Sequence, residues 1–354
     1  MATPKKRTCA AMNHHNLLAR KDEVYRDNRR QIEQFTATTR RAPRTQVITI
    51  PVVVHVLYNN DSENLSTQQI QSQIDALNRD YRSKNDAALI PEPFRPANTD
   101  TLIQFALAVR DPNGKPTTGV TRKRTSIKEF PYDQFDEEAT AKLDKLIKFD
   151  EFGHSAWPHD GYLNLWTCSI GGGLLGYAQF PGGPTATDGV VILNTAFGSV
   201  GLAAPPFSLG RTAVHEVGHW LNLLHIWGDD GQGCTGSDNI GDTPNQAGSN
   251  SGKPKFPHAT CQNGPFGDMF MNYMDYVDDD AMFMFTRGQL ARMEATLAGP
   301  RKAITNSRAL TPVPSERLDL GVALAGAPPV HALERETGEA VKRWFDGVSW
   351  VSLS

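Results

Sequence analysis

Runs of apolar residues separated by turn-forming segments predict alternating strands and helices along the first two thirds of the chain. The segment Val47 to Leu57 is rich in valine and isoleucine, which favours a buried strand. Ser66 precedes apolar residues at helical spacing and predicts a helix that ends near Arg82. The remaining predicted elements are strands at Ile103–Val109, Tyr162–Cys168 and Asp188–Leu193, and a charged helix near Glu138–Phe149. This alternation favours an α/β fold with helices packed on a mixed sheet.

The first 44 residues are more polar than the segments that follow them. One helix is predicted there, from about His15 to Phe35. The basic segment Thr38 to Arg44 is typical of an exposed linker that a protease can cut. The predicted domain organisation is a leader at 1–44, a central domain at 45–300 and a tail at 301–354.

The tail contains several prolines and ends in a pattern typical of strands. Asp346-Gly347 stands between aromatic and β-branched residues, which predicts a β-hairpin. Its two tryptophans, Trp344 and Trp350, either form the core of a small β unit or present a surface for a sugar or a cell wall.

Composition limits the classes of partner. The chain has 354 residues, 39% of them hydrophobic, which is enough for a large core. Its formal net charge of -3 argues against a nucleic acid or an anionic membrane as partner, and no apolar run is long enough to cross a membrane. No apolar stretch follows the early basic residues, so no signal peptide is visible. We expect a monomer.

The segment from 215 to 225, HEVGHWLNLLH, carries the most specific chemistry. His215 and His219 are four residues apart, so on a helix both imidazoles lie on one face and can bind one cation. Glu216 lies beside them, where it can take a proton from water at the metal. His225 is too far along a continuous helix to share that face. It becomes a third ligand only if the helix ends and the chain turns.

The turn requires a residue that tolerates a left-handed backbone, and Asn222 is such a residue. Two histidines flanking a glutamate also occur by chance on helix surfaces. A third histidine at a fixed spacing, and the segment NYMDY at 272–276, favour a zinc site over that alternative.

These motifs resemble those of the metzincin metalloproteases, whose pattern is HExxHxx(G/N)xxH followed by a methionine turn. The flanking segments Gly210-Arg211-Thr212, Gly241 to Gln246 and Met284-Phe285-Thr286 are similar to the pappalysin family. The resemblance extends from about Arg7 to Leu297 and departs at Asn222, where the family usually has glycine. It implies an α+β metzincin fold within the α/β class. In that fold a mixed twisted sheet carries an active-site helix and a backing helix, and the zinc cleft lies between two subdomains.

The resemblance implies a zinc-dependent endopeptidase that acts on protein or peptide substrates. His215, His219 and His225 would hold Zn²⁺, and water would fill the open fourth position. The dication lowers the pKa of such a water from about 15.7 towards about 7. Glu216 would accept a proton from it and pass that proton to the leaving amine.

Two further residues take their roles from the resemblance. Met274 would form an apolar floor under the histidines without binding the metal. Tyr276 would hydrogen-bond the tetrahedral intermediate, or else be a packed core aromatic. The glycine-rich segment Gly171 to Ala178 lacks a lysine and is expected to be an edge strand that pairs with substrate backbone.

The four cysteines have different surroundings. Cys234 and Cys261 flank a loop rich in glycine and asparagine, so they either form a disulfide or are two free buried thiols; the resemblance implies the disulfide. Cys168 lies in an apolar stretch and is expected to be buried. Cys9 lies in the leader, and a thiolate is a strong zinc ligand, so the resemblance implies a latent form in which Cys9 excludes water from the metal. The alternatives are an incidental free cysteine or a bridge to Cys168. The cysteines favour secretion.

Oxygen donors in irregular segments suit Ca²⁺. Such residues cluster at Asp229, Asp230, Asp238, Asp242 and Thr243, and again at Asp275 and Asp278 to Asp280. The resemblance favours Asp242 and Thr243 as calcium ligands, while solvated acidic turns are the alternative. For substrate choice, the apolar segment Ala281 to Phe285 favours an apolar side chain after the scissile bond. The acidic run Asp278 to Asp280 favours a basic one instead.

The alternative function is a catalytically inactive, metalloprotease-like protein that binds through its tryptophan-bearing tail. Glu216 and the three histidines distinguish the two hypotheses, because an inactive relative would often have lost one of them. All four are present, which favours the enzyme.

Overall fold

The computed structural model describes residues 4–39, 44–313, 343–345 and 350–352. The chain divides into two compact units, Met1–Val313 and Pro314–Ser354. In the second unit, β9 (Arg343–Phe345) pairs antiparallel with β10 (Trp350–Ser352). The predicted Asp346-Gly347 turn lies outside the described residues, as do residues 40–43 of the predicted linker.

The first unit is built on a six-stranded sheet, mostly parallel. Its strands are β1 (Ile48–Tyr58), β2 (Ile103–Leu107), β3 (Val120–Arg124), β4 (Leu163–Cys168), β5 (Gly176–Ala178) and β6 (Val190–Leu193). The order is β2-β1-β4-β6-β5, and β3 pairs with the second half of β1. Only β5 is antiparallel to its neighbour, and it forms one edge. The predicted mixed α/β sheet is confirmed.

Within the described residues, six α-helices accompany this sheet: α1 (Ala11–Lys21), α2 (Glu23–Thr38), α3 (Thr67–Tyr81), α4 (Ala139–Ile147), α5 (Arg211–Trp220) and α6 (Arg287–Ala298). Three of them, α2, α3 and α6, begin at residues whose side chains cap the helix. The Ser66 hydroxyl accepts the Gln69 N–H at the start of α3, and Thr286 and Gln289 cap each other at the start of α6. Two short strands, β7 (Ser251–Gly252) and β8 (Tyr276–Val277), pair in parallel in a separate small sheet.

The single leader helix predicted from His15 to Phe35 is wrong, because the structure has two helices there. Asp22 separates them and accepts the Tyr25 N–H at 3.0 Å as the N-cap of α2. An aspartate side chain satisfies a free N–H at a helix start and competes with the helix in its interior. Strand β3, VTRKR, was not predicted because it is polar and only partly buried.

The first unit continues past the predicted domain end at residue 300. Arg301 is buried, donates to both Asp188 oxygens at 2.7 and 3.0 Å, and its guanidinium lies 3.7 Å from the centre of the Trp220 ring. A 3-10 helix follows at Lys302–Asn306. The exact boundaries of leader, central domain and tail stay predictions. Among the described residues, no helix has the length and apolar character needed to cross a membrane.

The sheet contains a buried histidine, His55. His55 on β1 is fully buried and its ring nitrogens lie 2.8 Å from the Thr121 hydroxyl and 3.0 Å from Asn164 Oδ1. Its ring stacks on His154 with 4.5 Å between the centroids. Burial lowers the pKa of His55 to about 3, so the ring is neutral in the folded state.

We predict that His55 makes the fold less stable in mild acid. Between about pH 6.5 and the folded pKa of about 3, the unfolded chain binds a proton at His55 and the folded chain does not. The free energy of unfolding should therefore fall as pH decreases across this window, with His55 contributing up to about 1.4 kcal/mol per pH unit. Urea titrations of the wild type and His55→Gln would measure it. The variant should show a shallower pH slope, and parallel slopes would contradict the prediction.

Candidate active site

Helix α5 and the turn after it assemble three histidines. The helix ends at Trp220, and Asn222 has a φ of 76°, the left-handed conformation that the turn was predicted to need. The Asn222 N–H donates to His219 O at 2.8 Å and the Leu223 N–H to Gly218 O at 2.9 Å, which closes the turn. His225 thereby returns to the face that carries His215 and His219.

The three imidazoles converge on one point. His219 Nε2 lies 3.1 Å from Nε2 of His215 and 3.1 Å from Nε2 of His225, and all three side chains are buried. Each Nδ1 faces an acceptor, so it carries the proton and leaves Nε2 with a lone pair. The acceptors are Tyr273 O at 2.7 Å for His215, Leu223 O at 2.8 Å for His219 and Asp229 Oδ1 at 2.7 Å for His225. Three lone pairs at this separation repel one another unless a cation lies between them, and three neutral imidazoles with one further position suit Zn²⁺.

The leader supplies a fourth donor. The ligand atoms of Cys9 and the three histidines lie within 4.8 Å of one another. In the part of the chain that the structure describes, no other group of three or more His, Cys, Asp or Glu side chains is placed to hold a metal. Cysteine sulfur and imidazole nitrogen are both zinc ligands, and four such donors would fill a tetrahedral site and leave no position for water.

Cys9 also contacts the side chain of Glu216. The Cys9 thiol donates to Glu216 Oε2 at 3.3 Å; Glu216 is buried and Cys9 is partly buried. Burial raises the pKa of Glu216 to about 8, against the opposing effects of the Cys9 hydrogen bond and the Arg7 charge. A side chain at Gly176 would meet Glu216 Cγ at 3.1 Å from its Cβ, so glycine there leaves the carboxylate room.

The leader backbone passes along strand β5. Leu175 N–H donates to Thr8 O at 3.1 Å, and Ala10 N–H donates to Gly176 O at 3.1 Å. Cys9 and Gly176 form a parallel β-bridge between these bonds. The edge strand predicted to bind substrate backbone therefore carries the leader in this structure.

Arg7 fills a pocket beside the histidines. Its guanidinium donates to Asp279 Oδ1 at 2.6 Å, to the Thr212 hydroxyl at 3.0 Å and to Val277 O at 3.2 Å. The guanidinium carbon also lies 4.9 Å from the centre of the Phe207 ring. Arg7 and Asp279 are both buried, so this ion pair is shielded from solvent.

Met274 and Tyr276 lie next to the three histidines and their helix. A Cβ at Gly218 on α5 would lie 2.5 Å from Met274 Sδ, so the methionine packs directly under the zinc helix. The Tyr276 hydroxyl donates to Cys9 O at 3.3 Å, and its ring centroid is 4.9 Å from that of His225. Tyr276 is thus a partly buried aromatic whose polar end faces a peptide carbonyl.

The disulfide between Cys234 and Cys261 is formed, while Cys9 and Cys168 are free. The two expected calcium ligands are in the same region. Asp242 accepts the Thr286 hydroxyl at 2.6 Å and Gly288 N–H at 2.9 Å. The Thr243 hydroxyl donates to Asp238 at 2.8 and 2.9 Å.

Several residues of the site were not assigned from the sequence. Asp229, four residues after His225, was grouped with the acidic loop residues, although a carboxylate at that spacing from a candidate ligand is a signal for a histidine partner. Nothing in the sequence marks Thr212 and Phe207 as pocket residues, because only the folded chain brings them into contact with Arg7.

This fold and this site define a zinc-dependent endopeptidase of the metzincin class. Residues 148–298 match the family model described as pregnancy-associated plasma protein-A. An extracellular metalloprotease of Pyricularia oryzae is 34% identical over 272 residues, which cover 73% of this chain and 77% of the relative. The chain belongs to this pappalysin family of metalloproteases, peptidase family M43.

Two solved structures are similar to this chain. Mature mirolysin of Tannerella forsythia in complex with a cleaved peptide is 48% identical, with a TM-score of 0.69 over 75% of this chain and 98% of that one. A promirolysin mutant is 43% identical, with a TM-score of 0.77 over 87% of this chain and 100% of that one. The form with a prosegment thus covers more of this chain.

Proposed function

We propose that the zinc of this endopeptidase is held by His215, His219 and His225, that Glu216 moves the proton, and that the leader keeps the enzyme latent. The observation that supports these assignments is the convergence of three imidazole lone pairs and the Cys9 thiol beside one buried carboxylate. The alternative of an inactive binding protein has no comparable support, because every residue that peptide hydrolysis requires is present and close together.

The chemistry follows from the position of each side chain. Zinc in this site would polarise the scissile carbonyl and lower the pKa of water. Glu216, buried and next to the open position, accepts the proton of the attacking water and then delivers it to the leaving amine. Tyr276, whose hydroxyl now donates to the carbonyl of Cys9, would donate to the oxygen of the substrate carbonyl as negative charge develops there.

Latency has a direct steric and electrostatic basis. Cys9 stands where water must bind, and its thiol engages the catalytic carboxylate. The backbone of residues 8 to 10 uses the hydrogen-bonding groups of β5 that an extended substrate would need. We propose that removal of the leader frees all three at once.

A second contact anchors the leader farther from the zinc. Arg292 on α6 donates through one nitrogen to both oxygens of Glu33 on α2, at 2.7 and 2.8 Å. The Asn222 amide also donates to Glu33 at 3.3 Å, and Asn222 O accepts from Arg292. The residue that departs from the family pattern therefore connects the leader to the turn after the zinc helix.

The Arg7 pocket supports a basic substrate side chain. The apolar segment Ala281 to Phe285 favours an apolar side chain. The contacts of Arg7 instead favour a basic side chain, which would pair with the acidic run. Asp279 is buried at the end of the pocket and already pairs with a guanidinium. We propose that, in the mature enzyme, the side chain of the residue after the scissile bond takes the place of Arg7.

Calcium in the disulfide loop stays a prediction, and we propose it with a different set of ligands. Asp242 and Thr243 are engaged by the contacts described above. Buried side-chain oxygens without a hydrogen-bond partner lie nearby in sequence, on Asn245, Gln246 and Asn263. Unsatisfied buried oxygens are costly unless water or a cation binds them, and Ca²⁺ accepts carboxylate and amide oxygens.

We also propose that the protein is secreted. Its relatives are named extracellular metalloproteases, and a disulfide such as Cys234–Cys261 persists in an oxidising compartment.

We predict that the leader inhibits peptide cleavage and that Glu216 is essential for it. With a quenched peptide library, protein trimmed before Thr45 should cleave, and full-length protein should cleave far more slowly. Glu216→Ala in the trimmed protein should lower the rate by about 10²–10⁴-fold while zinc content is unchanged, because general-base catalysis is lost and no ligand is removed. Cys9→Ser in the full-length chain should raise its activity.

Cys168→Ser is the matched control, because Cys168 is a free cysteine buried away from the zinc site. No cleavage by zinc-loaded, trimmed protein would contradict the enzyme. Equal activity of Cys9→Ser and the wild type would contradict the latch.

We predict that Asp279 selects a basic residue after the scissile bond. The trimmed enzyme should prefer an arginine peptide to a matched leucine peptide by at least about tenfold in kcat/KM, since the pocket pairs a buried carboxylate with the guanidinium. Asp279→Asn should abolish most of this preference. Asp280→Asn, at an exposed neighbour that pairs with Lys253, is the control and should leave the preference unchanged. A leucine preference in the wild type would refute the assignment.

We predict that millimolar Ca²⁺ raises the melting temperature of the full chain, and that Mg²⁺ at the same concentration does so less. Differential scanning fluorimetry after treatment with a calcium chelator measures the shift, which arises because the ion binds only the folded loop. Asn263→Ala should reduce the shift and Asp242→Asn should not. The reverse pattern would restore Asp242 as a ligand, and no shift in the wild type would exclude a calcium site.

A further inference from the structure

The three zinc-facing imidazoles do not have equivalent partners. His215 and His219 donate from Nδ1 to backbone carbonyl oxygens, whereas His225 donates to the carboxylate of Asp229 at 2.7 Å. A carbonyl is neutral and fixes the orientation of the ring. A carboxylate also places a negative charge next to the ring, which makes Nε2 a stronger donor to a cation.

The backbone presents Asp229 in a costly conformation. Gly228 and Asp229 have φ values of 72° and 56°, two consecutive residues in the left-handed region. A side chain at Gly228 would clash with the backbone of Ser237, 2.0 Å from its Cβ. This conformation is unfavourable for aspartate, and such strain persists where the surrounding structure requires it. Here it turns the carboxylate back onto the ring four residues earlier.

The Asp229 carboxylate interacts with the ring of His225. Its side chain is 26% exposed, and within the described ranges its only ion-pair or hydrogen-bond partner is His225. The ring itself cannot turn away, since Trp227 stacks on it with centroids 4.2 Å apart and planes 7° apart. Tyr276 packs edge-on against both the His225 ring and the Trp227 ring, with centroids 4.9 and 4.8 Å away.

We propose that Asp229 is a positioning residue that sets the zinc affinity of the site through His225. It would keep the proton of His225 on Nδ1 and direct the lone pair of Nε2 at the metal. The proposal rests on the assignment of the three histidines as zinc ligands. It moves Asp229 from the acidic loop cluster to the zinc site, and it makes the third histidine the most strongly donating of the three.

The test measures zinc affinity of the full chain by competition with a chromophoric chelator. Asp229→Asn keeps the size of the side chain and an acceptor oxygen but removes the charge, and should weaken zinc binding by about 10–100-fold. Asp229→Glu, which restores the carboxylate, should recover part of the loss. The control is Asp230→Asn, because Asp230 is the next residue and accepts only from Thr235 and Gly236 among the described residues. It should stay within about threefold of the wild type.

Cobalt substitution gives a second readout. Visible absorption of the Co²⁺-loaded chain should change in Asp229→Asn and not in Asp230→Asn, because only the first alters the donor strength of a ligand. If the wild type binds no zinc tightly, the histidine assignment fails. If it does and Asp229→Asn binds equally well, only this inference fails.

The metal-free melting temperature separates positioning from folding. An unchanged value for Asp229→Asn, with weakened zinc binding, supports the inference. If Asp229→Asn melts earlier, Asp229→Glu decides: partial recovery of affinity supports the role of the charge, and a loss as large as that of asparagine overturns it.

Discussion

The central constraint in this molecule is the convergence of three unprotonated imidazole nitrogens, with Nε2 of His219 3.1 Å from Nε2 of each of the other two. Such an arrangement is repulsive by itself, so the surrounding structure must hold each ring by its other nitrogen. That requirement explains the abrupt end of α5, the left-handed Asn222 and the carbonyl of Tyr273 in the methionine turn. Met274 then supports the helix from below at Gly218, where any larger residue would push it away.

The Arg7 pocket and helix α5 share a network of buried charges. Arg211, the first residue of α5, donates to Asp80 at 3.1 Å and through its backbone N–H to Asp279 at 3.3 Å. Asp279 in turn receives Leu209 N–H and the Arg7 guanidinium. Each charge has a partner, as burial demands. The pocket that holds the Arg7 guanidinium is therefore connected to the start of the helix that carries the first two histidines.

The disulfide loop contributes to the same site from the opposite side. Asp275, between Met274 and Tyr276, is fully buried and accepts hydrogen bonds from Gln246, Asn250 and the Tyr276 N–H. Desolvation raises the pKa of Asp275 to about 6, against the lowering effect of these donors. The loop residues stabilise this carboxylate, and so hold Met274 and Tyr276 at the zinc site.

The sequence by itself determined those features that depend on residues close together in the chain. Helical spacing places His215 and His219 on one face, Asn222 permits the turn, and Ser66 and Thr286 begin helices through their own hydroxyl groups. Apolar runs located most strands of the sheet, whereas the polar strand β3 carries no such run, and Asp22 breaks a leader helix that periodicity predicts as continuous.

Only the tertiary structure decided which distant residues meet. Arg7 and Asp279 are separated by 272 positions, and Cys9 and Glu216 by 207, and no local pattern announces either contact. The proposed preference for a basic side chain and the proposed details of latency both rest on these contacts. The physical reason is that helix and turn preferences act over a few residues, whereas burial of a charge selects a partner anywhere in the chain.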